Sequence, residues 1–176
     1  MRVFWILLLI FGIIHPTQTK EKKPPRTKTK IQNPLIDYAG FQKIVNTSSE
    51  ERESKRLSEE EFLKALEDKE AVILDARSES RYKLRHIRGA INLPFTEFTK
   101  ESLTQIIPNL NSKILIYCNN NFGGSPAAFA AKSPPASLNL STYVSLKAYG
   151  YTNIYELGPL LDVATTKLPF EGSETD

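Results

Sequence analysis

The sequence has a single cysteine, Cys118, among 176 residues, so no disulfide can form within the chain. Two histidines and that one thiol are too few nitrogen and sulfur ligands for a structural zinc site, and no metal is expected. Neither a glycine-rich dinucleotide fingerprint nor a P-loop is present, so no cofactor is expected either. An excess of one charge is also lacking. The net charge is +3, and the run Lys20-Glu21-Lys22-Lys23-Pro24-Pro25-Arg26-Thr27-Lys28-Thr29-Lys30 carries more than that excess. The remainder is slightly acidic, which argues against a nucleic-acid partner. The longest apolar run, residues 3–14, falls short of the roughly 20 residues that span a bilayer.

What is present begins with that run. Arg2 precedes it, His15 and Pro16 end it, and Thr17-Gln18-Thr19 follows with small residues. This is the pattern of a cleaved export signal over residues 1–19, with no stable membrane insertion after cleavage and a periplasmic or secreted destination. Residues 20–32 read as a basic Pro/Lys/Thr tether, and residues 33–172 as one domain.

Within that domain the periodicity alternates. Asn33-Pro34 opens a helix with Leu35, Ile36, Tyr38, Phe41, Ile44 and Val45 as its apolar positions, and residues 47–55 read as a polar connector. Ser58 followed by Glu61 is a capping box for a second helix carrying Phe62, Leu63 and Leu66. Ala71-Val72-Ile73-Leu74 is a short run without alternation, as expected of a strand buried on both faces. Ile91-Asn92-Leu93 is a second strand, and residues 102–107 a helix. Lys113-Ile114-Leu115-Ile116-Tyr117 is the strongest strand and runs directly into Cys118. Ser125-Pro126 reads as the cap and first position of a further helix. Another helix spans about residues 141–149 and ends at Gly150. Asn153-Ile154-Tyr155-Glu156-Leu157 is the last strand. Strands alternating with helices predict an α/β fold, with a mainly parallel central sheet flanked by helices on both faces.

Cys118 stands at the carboxyl end of a buried strand, where open α/β sheets place their ligands. Asn119, Asn120, Asn121, Phe122, Gly123, Gly124 and Ser125 follow it. Asn and Gly tolerate positive φ, so this loop is expected to turn its amides inward as an anion-binding nest, with a helix N-terminus at Ser125 adding its dipole. Such a cradle would hold a thiolate or a persulfide anion. The same order of strand, cysteine, loop and helix serves sulfurtransferases, cysteine phosphatases and arsenate reductases.

Leu74-Asp75-Ala76-Arg77, then Tyr82-Lys83-Leu84-Arg85-His86-Ile87-Arg88-Gly89-Ala90-Ile91-Asn92-Leu93-Pro94, resembles the N-terminal signatures of the rhodanese-like domain family. Tyr117-Cys118 resembles that family's catalytic position, and Gly150-Tyr151-Thr152-Asn153-Ile154-Tyr155-Glu156-Leu157-Gly158 its closing element. The resemblance implies a rhodanese-like fold and Cys118 as the sulfur-accepting nucleophile. A thiosulfate-like donor would leave a persulfide there, and a thiol or cyanide would take the sulfur. It also implies that Asp75, Arg77 and His86 support the site structurally. Two departures stand out. No charged side chain lies between Cys118 and Ser125, and Ser125 occupies the place of the arginine on which phosphatase-type relatives depend, which weighs against phosphoryl transfer. A module that binds an anion, a sulfur species or a protein partner without turnover is the alternative. Residues 132–140 form an insertion, read as a surface loop, in which Lys132 is a candidate for the missing charge.

Overall fold

The computed structural model describes residue 31 and residues 33–175; the export signal and most of the tether expected from the sequence lie outside these. The chain divides after Pro34 into two units. Of the first unit only Ile31, Asn33 and Pro34 are described.

In the second, helix α1 spans Tyr38–Ser54 and is capped by Asp37, whose side chain accepts from the Gly40 amide. A two-residue strand β1 (Arg56–Leu57) leads to helix α2 (Glu59–Leu66), where Ser58 and Glu61 form the reciprocal capping box. Strand β2 (Val72–Asp75), helix α3 (Glu79–Leu84), strand β3 (His86–Ile87) and strand β4 (Ile91–Asn92) follow. Helix α4 (Lys100–Ile106) then precedes strand β5 (Ile114–Tyr117). After Cys118 come a turn of 3-10 helix over Asn119–Asn121 and strand β6 (Phe122–Gly123). Helix α5 (Leu138–Ala148) and strands β7 (Ile154–Leu157), β8 (Leu161–Asp162) and β9 (Phe170–Glu171) complete the chain.

The main sheet has the order β1-β7-β5-β2-β4, with every neighbouring pair parallel. Strand β5 lies at its centre and is buried throughout. Its side chains alternate between the two faces, as a pleated strand requires. Leu115 and Tyr117 join the core with Phe62 of α2, Phe122, Phe129 and Leu168. Ile114 and Ile116 join the other core with Leu103 of α4 and Tyr143 and Leu146 of α5. Helices thus cover both faces, and the α/β sheet expected from the sequence is present. The residues after 160 pack onto this frame: β8 pairs with β6 and β9 pairs antiparallel with β3.

Three local expectations need correction. The polar stretch 47–55 is helical as far as Ser54: its hydroxyls are satisfied on the helix itself, Thr47 Oγ1 on Lys43 O at 2.9 Å and Ser48 Oγ on Ile44 O at 2.6 Å, and the ion pairs Arg52–Glu156 and Glu51–Lys147 hold it against β7 and the residues of 138–148. The apolar positions chosen for that helix do not form its buried face, since Tyr38, Phe41 and Val45 are all exposed. No helix follows Ser125. A single turn closes there, with the Phe129 amide donating to Ser125 O at 2.8 Å. Continuation is prevented by side chains that capture the backbone groups a helix would use. Arg77 Nη1 takes Ala128 O at 3.0 Å, Asn119 Nδ2 takes Ala130 O at 2.8 Å, and the Lys132 amide donates to Asn120 Oδ1 at 3.0 Å.

Candidate active site

The sheet brings Cys118 to the carboxyl end of its central strand. Its Sγ accepts a hydrogen bond from the Asn120 amide at 3.4 Å and lies 3.4 Å from Ser137 Oγ. One main-chain amide therefore faces the sulfur, rather than the ring of amides expected of a nest. The reason is conformational. Among the described residues no non-glycine adopts positive φ, so the three asparagines do not turn the backbone inward. They act through their side chains instead.

Asn121 does most of this bracing. Its Oδ1 accepts from the Cys118 amide at 2.9 Å and from Asn139 Nδ2 at 3.1 Å. Its Nδ2 donates to Leu157 O at 2.7 Å and Pro159 O at 3.1 Å, which ties the loop to the end of β7. Asn119 and Asn120 hold residues 130–132, as described above. The rest of the expected loop turns away from the sulfur. Phe122 is buried among Tyr117, Phe129 and Phe170, and Gly123 pairs with β8. Gly124 has φ +85° with Asp162 and Val163 against it, a position that demands glycine. Ser125 Oγ donates to Glu174 Oε2 at 2.8 Å.

Beneath the loop, Asp75 and Arg77 form a fully buried pair. Arg77 Nε donates to Asp75 Oδ1 at 2.9 Å and Nη2 to Oδ2 at 2.5 Å, while Nη2 also reaches Arg85 O at 2.8 Å. Burial disfavours the Arg77 charge, but the Asp75 hydrogen bonds and charge outweigh it, and its pKa is raised. The Tyr117 hydroxyl donates to Asp75 Oδ2 at 2.6 Å and accepts from the Ile87 amide at 3.1 Å. Burial, then the Asp75 charge, pushes the Tyr117 pKa well up. The phenol is therefore a fixed donor. His86 stacks on Tyr82 at 3.7 Å and places Nδ1 2.8 Å from Tyr82 O. Asp75, Arg77 and His86 are thus each bonded to or packed against neighbouring residues.

Cys118 lines a cavity of about 310 Å³ together with Asn120, Asn121, Ser137, Asn139, Glu156, Arg52 and Arg56. That volume lies at the lower end of small-molecule sites, roughly 300–1,000 Å³. The insertion supplies part of the wall through Pro134, Ser137, Asn139 and Leu140, so it belongs to the site rather than to a remote surface loop. Lys132, the candidate for the missing charge, is not among the residues lining this cavity. It lines a separate cavity with Arg77, Arg81 and Asn119. The guanidinium groups come from α1 and β1, upstream of the family-like motifs singled out in the sequence. Arg52 Nη2 pairs with Glu156 at 2.6 Å, and Arg56 Nη1 with Glu53 at 3.1 Å. No sequence signal marked them, because long-range contacts bring them to the site: β1 pairs with β7, and α1 is tied to β7 by Arg52–Glu156 and to α5 by Glu51–Lys147.

Comparison with known proteins gives a consistent family. A family model for the rhodanese-like domain matches residues 58–158. Thiosulfate sulfurtransferase PspE of Escherichia coli (strain K12) is 30% identical over 95 residues, covering 54% of this chain and 76% of that protein. The tRNA uridine(34) hydroxylase of Aster yellows witches'-broom phytoplasma is 29% identical over 138 residues, covering 76% of this chain but only 38% of its own length. Among solved structures, a thiosulfate sulfurtransferase from Pseudomonas aeruginosa aligns at TM-score 0.48 and 20% identity, over 77% of this chain and 23% of that one. A rhodanese with anions from E. coli aligns at TM-score 0.39 and 22% identity, over 58% and 99%.

Proposed function

Because this chain belongs to the rhodanese-like domain family, we propose that it is a sulfurtransferase whose nucleophile is Cys118. The observation that carries this reading is the position of the thiol, at the end of β5 and in the wall of a polar cavity with two arginines. In the proposed reaction the Cys118 thiolate attacks the outer sulfur of a thiosulfate-type donor. A new S–S bond forms, the donor's own S–S bond breaks, and sulfite leaves with the electron pair. Cyanide or a thiolate then attacks the terminal sulfur of the persulfide and regenerates the Cys118 thiolate. Neither step needs an outside oxidant or reductant. The Asn120 amide supports negative charge on Sγ, as a donor aimed at a forming anion does.

A second reading has its own observation. Cys118 is only 1% exposed and one amide faces it, which suits a module that binds a sulfur species or a protein without turnover. Thiocyanate production from thiosulfate and cyanide separates the two. Turnover by the full chain that vanishes in Cys118→Ser supports the enzyme. Binding of thiosulfate by wild type with no thiocyanate formed supports the module. Export by the N-terminal apolar run is part of the same proposal, tested by N-terminal sequencing of the mature protein from extracytoplasmic fractions. A mature chain beginning near residue 20 is expected; an intact residue 1 contradicts it.

A further inference from the structure

The cavity beside Cys118 has an unequal charge distribution. Arg52 and Glu156 both line it and pair with each other, so their charges largely cancel. Arg56 also lines it, yet its carboxylate partner, Glu53, does not. Glu53 is two-thirds exposed, where ion pairing is weak and water screens the charge. Arg56 is further anchored by Nη2, which donates to Gly158 O at 3.1 Å. A guanidinium carries five N–H donors in a planar fork, so one carboxylate and one carbonyl leave donors free for an incoming oxyanion.

The cavity wall also contains polar atoms without partners. Among the described residues three atoms of wall residues, Arg52 Nε, Asn139 Oδ1 and Glu156 Oε2, are buried without a hydrogen-bonding partner, although Glu156 Oε2 lies 2.6 Å from Arg52 Nη2 in the ion pair. Buried polar groups left unpaired call for an explanation. Here two of the three are acceptors and none is open to the cavity, so the case for an anion rests on Arg56. The loop between Cys118 and Ser125 holds no charged side chain, and Lys132 lines the neighbouring cavity, so among the described residues that line this one Arg56 is the cation whose carboxylate partner lies outside the wall.

We propose that Arg56 is the specificity residue of the Cys118 site, selecting negatively charged sulfur compounds over neutral or cationic ones. This rests on the sulfur-transfer reading for its biological meaning, but its test does not require turnover. Methanethiosulfonate reagents with anionic sulfonatoethyl and cationic trimethylammonioethyl groups each transfer a thioalkyl group to a thiolate and release methanesulfinate. Cys118 is the sole cysteine, so every adduct in the intact-mass spectrum reports on it. The quantity read is the anionic-to-cationic rate ratio, divided by the same ratio for a free thiol in solution.

For wild type that normalised ratio is expected near tenfold, equivalent to about 1.4 kcal/mol. Arg56→Gln should bring it close to one, and Arg56→Lys should restore most of it. Glu53→Gln, which removes the competing carboxylate, should raise it above wild type. The last two variants keep the test sound if Arg56→Gln fails to fold. A wild-type ratio near one, a ratio unchanged in Arg56→Gln, or a Cys118 that no reagent labels overturns the proposal. A tenfold ratio in a protein that never forms thiocyanate leaves the selectivity standing and removes the sulfur-transfer reading instead.

Discussion

Asn121→Ala tests how the site is held. The side chain is buried and satisfies the Cys118 amide, Asn139 Nδ2, Leu157 O and Pro159 O at once. Removing it strands the Cys118 N–H and Leu157 O in the interior. Each buried group left unpaired costs about 1–3 kcal/mol, so the two together predict a loss of about 3 kcal/mol. An exposed asparagine replaced by alanine would change stability by only about 0.5 kcal/mol. With a urea slope of about 2 kcal/mol per molar, the predicted loss lowers the unfolding midpoint by about 1.5 M. The assay is equilibrium urea unfolding followed by far-UV circular dichroism, with the slope fitted for each variant. Asn121→Asp keeps the acceptor for Cys118 but puts a carboxylate oxygen against two carbonyls, so it should also destabilise. A midpoint shift under about 0.5 M for the alanine variant, with an unchanged slope, would show that Asn121 does not brace the loop.

Two further outcomes follow from the buried and surface ion pairs. Asp75→Asn leaves the Arg77 guanidinium buried without its counter-charge and should cost about 3–5 kcal/mol in the same urea assay. The double variant with Arg77→Met should lose less than the sum of the two single changes; strict additivity would count against the pairing. The second outcome concerns acid. Glu51 is held below the usual carboxylate range first by the Lys147 hydrogen bond and then by that of Lys55, and Glu59 first by Thr166 and then by the Lys167 amide. Because their folded values are depressed, their contribution is complete above the unfolded value of about 4.3 and is lost as pH falls through the lower folded values. The double variant Glu51→Gln with Glu59→Gln should therefore lose less stability than wild type between about pH 6 and about pH 3; equal losses would contradict this.

Much of the frame was legible because local signals and burial agree there. Apolar runs marked β2, β4, β5 and β7, and the Ser58–Glu61 box marked α2, since each element's own residues carry the apolar or capping pattern its place requires. The strand ending at Cys118 was readable for the same reason. The loop after it was not. Asparagine tolerates positive φ but is also a bidentate side-chain partner, and composition does not say which property is used. Here Asn119, Asn120 and Asn121 all bond to distant main chain, and the bonds of Asn119 and Asn120, with that of Arg77, take the groups of the helix expected at Ser125. Arg52 and Arg56 were missed for a different reason. They sit in a stretch of alternating charges with the look of a solvated connector, and long-range contacts, the pairing of β1 with β7 and the ion pairs of α1 with β7 and α5, carry them to the cysteine.

The central claim is that Cys118 accepts sulfur. Intact-mass analysis of the full chain after incubation with thiosulfate and removal of excess donor tests it directly. A gain of one sulfur atom on wild type, reversed by cyanide and absent from Cys118→Ser, is the predicted result. An unchanged mass under conditions in which a neutral thiol reagent still labels Cys118 would contradict it.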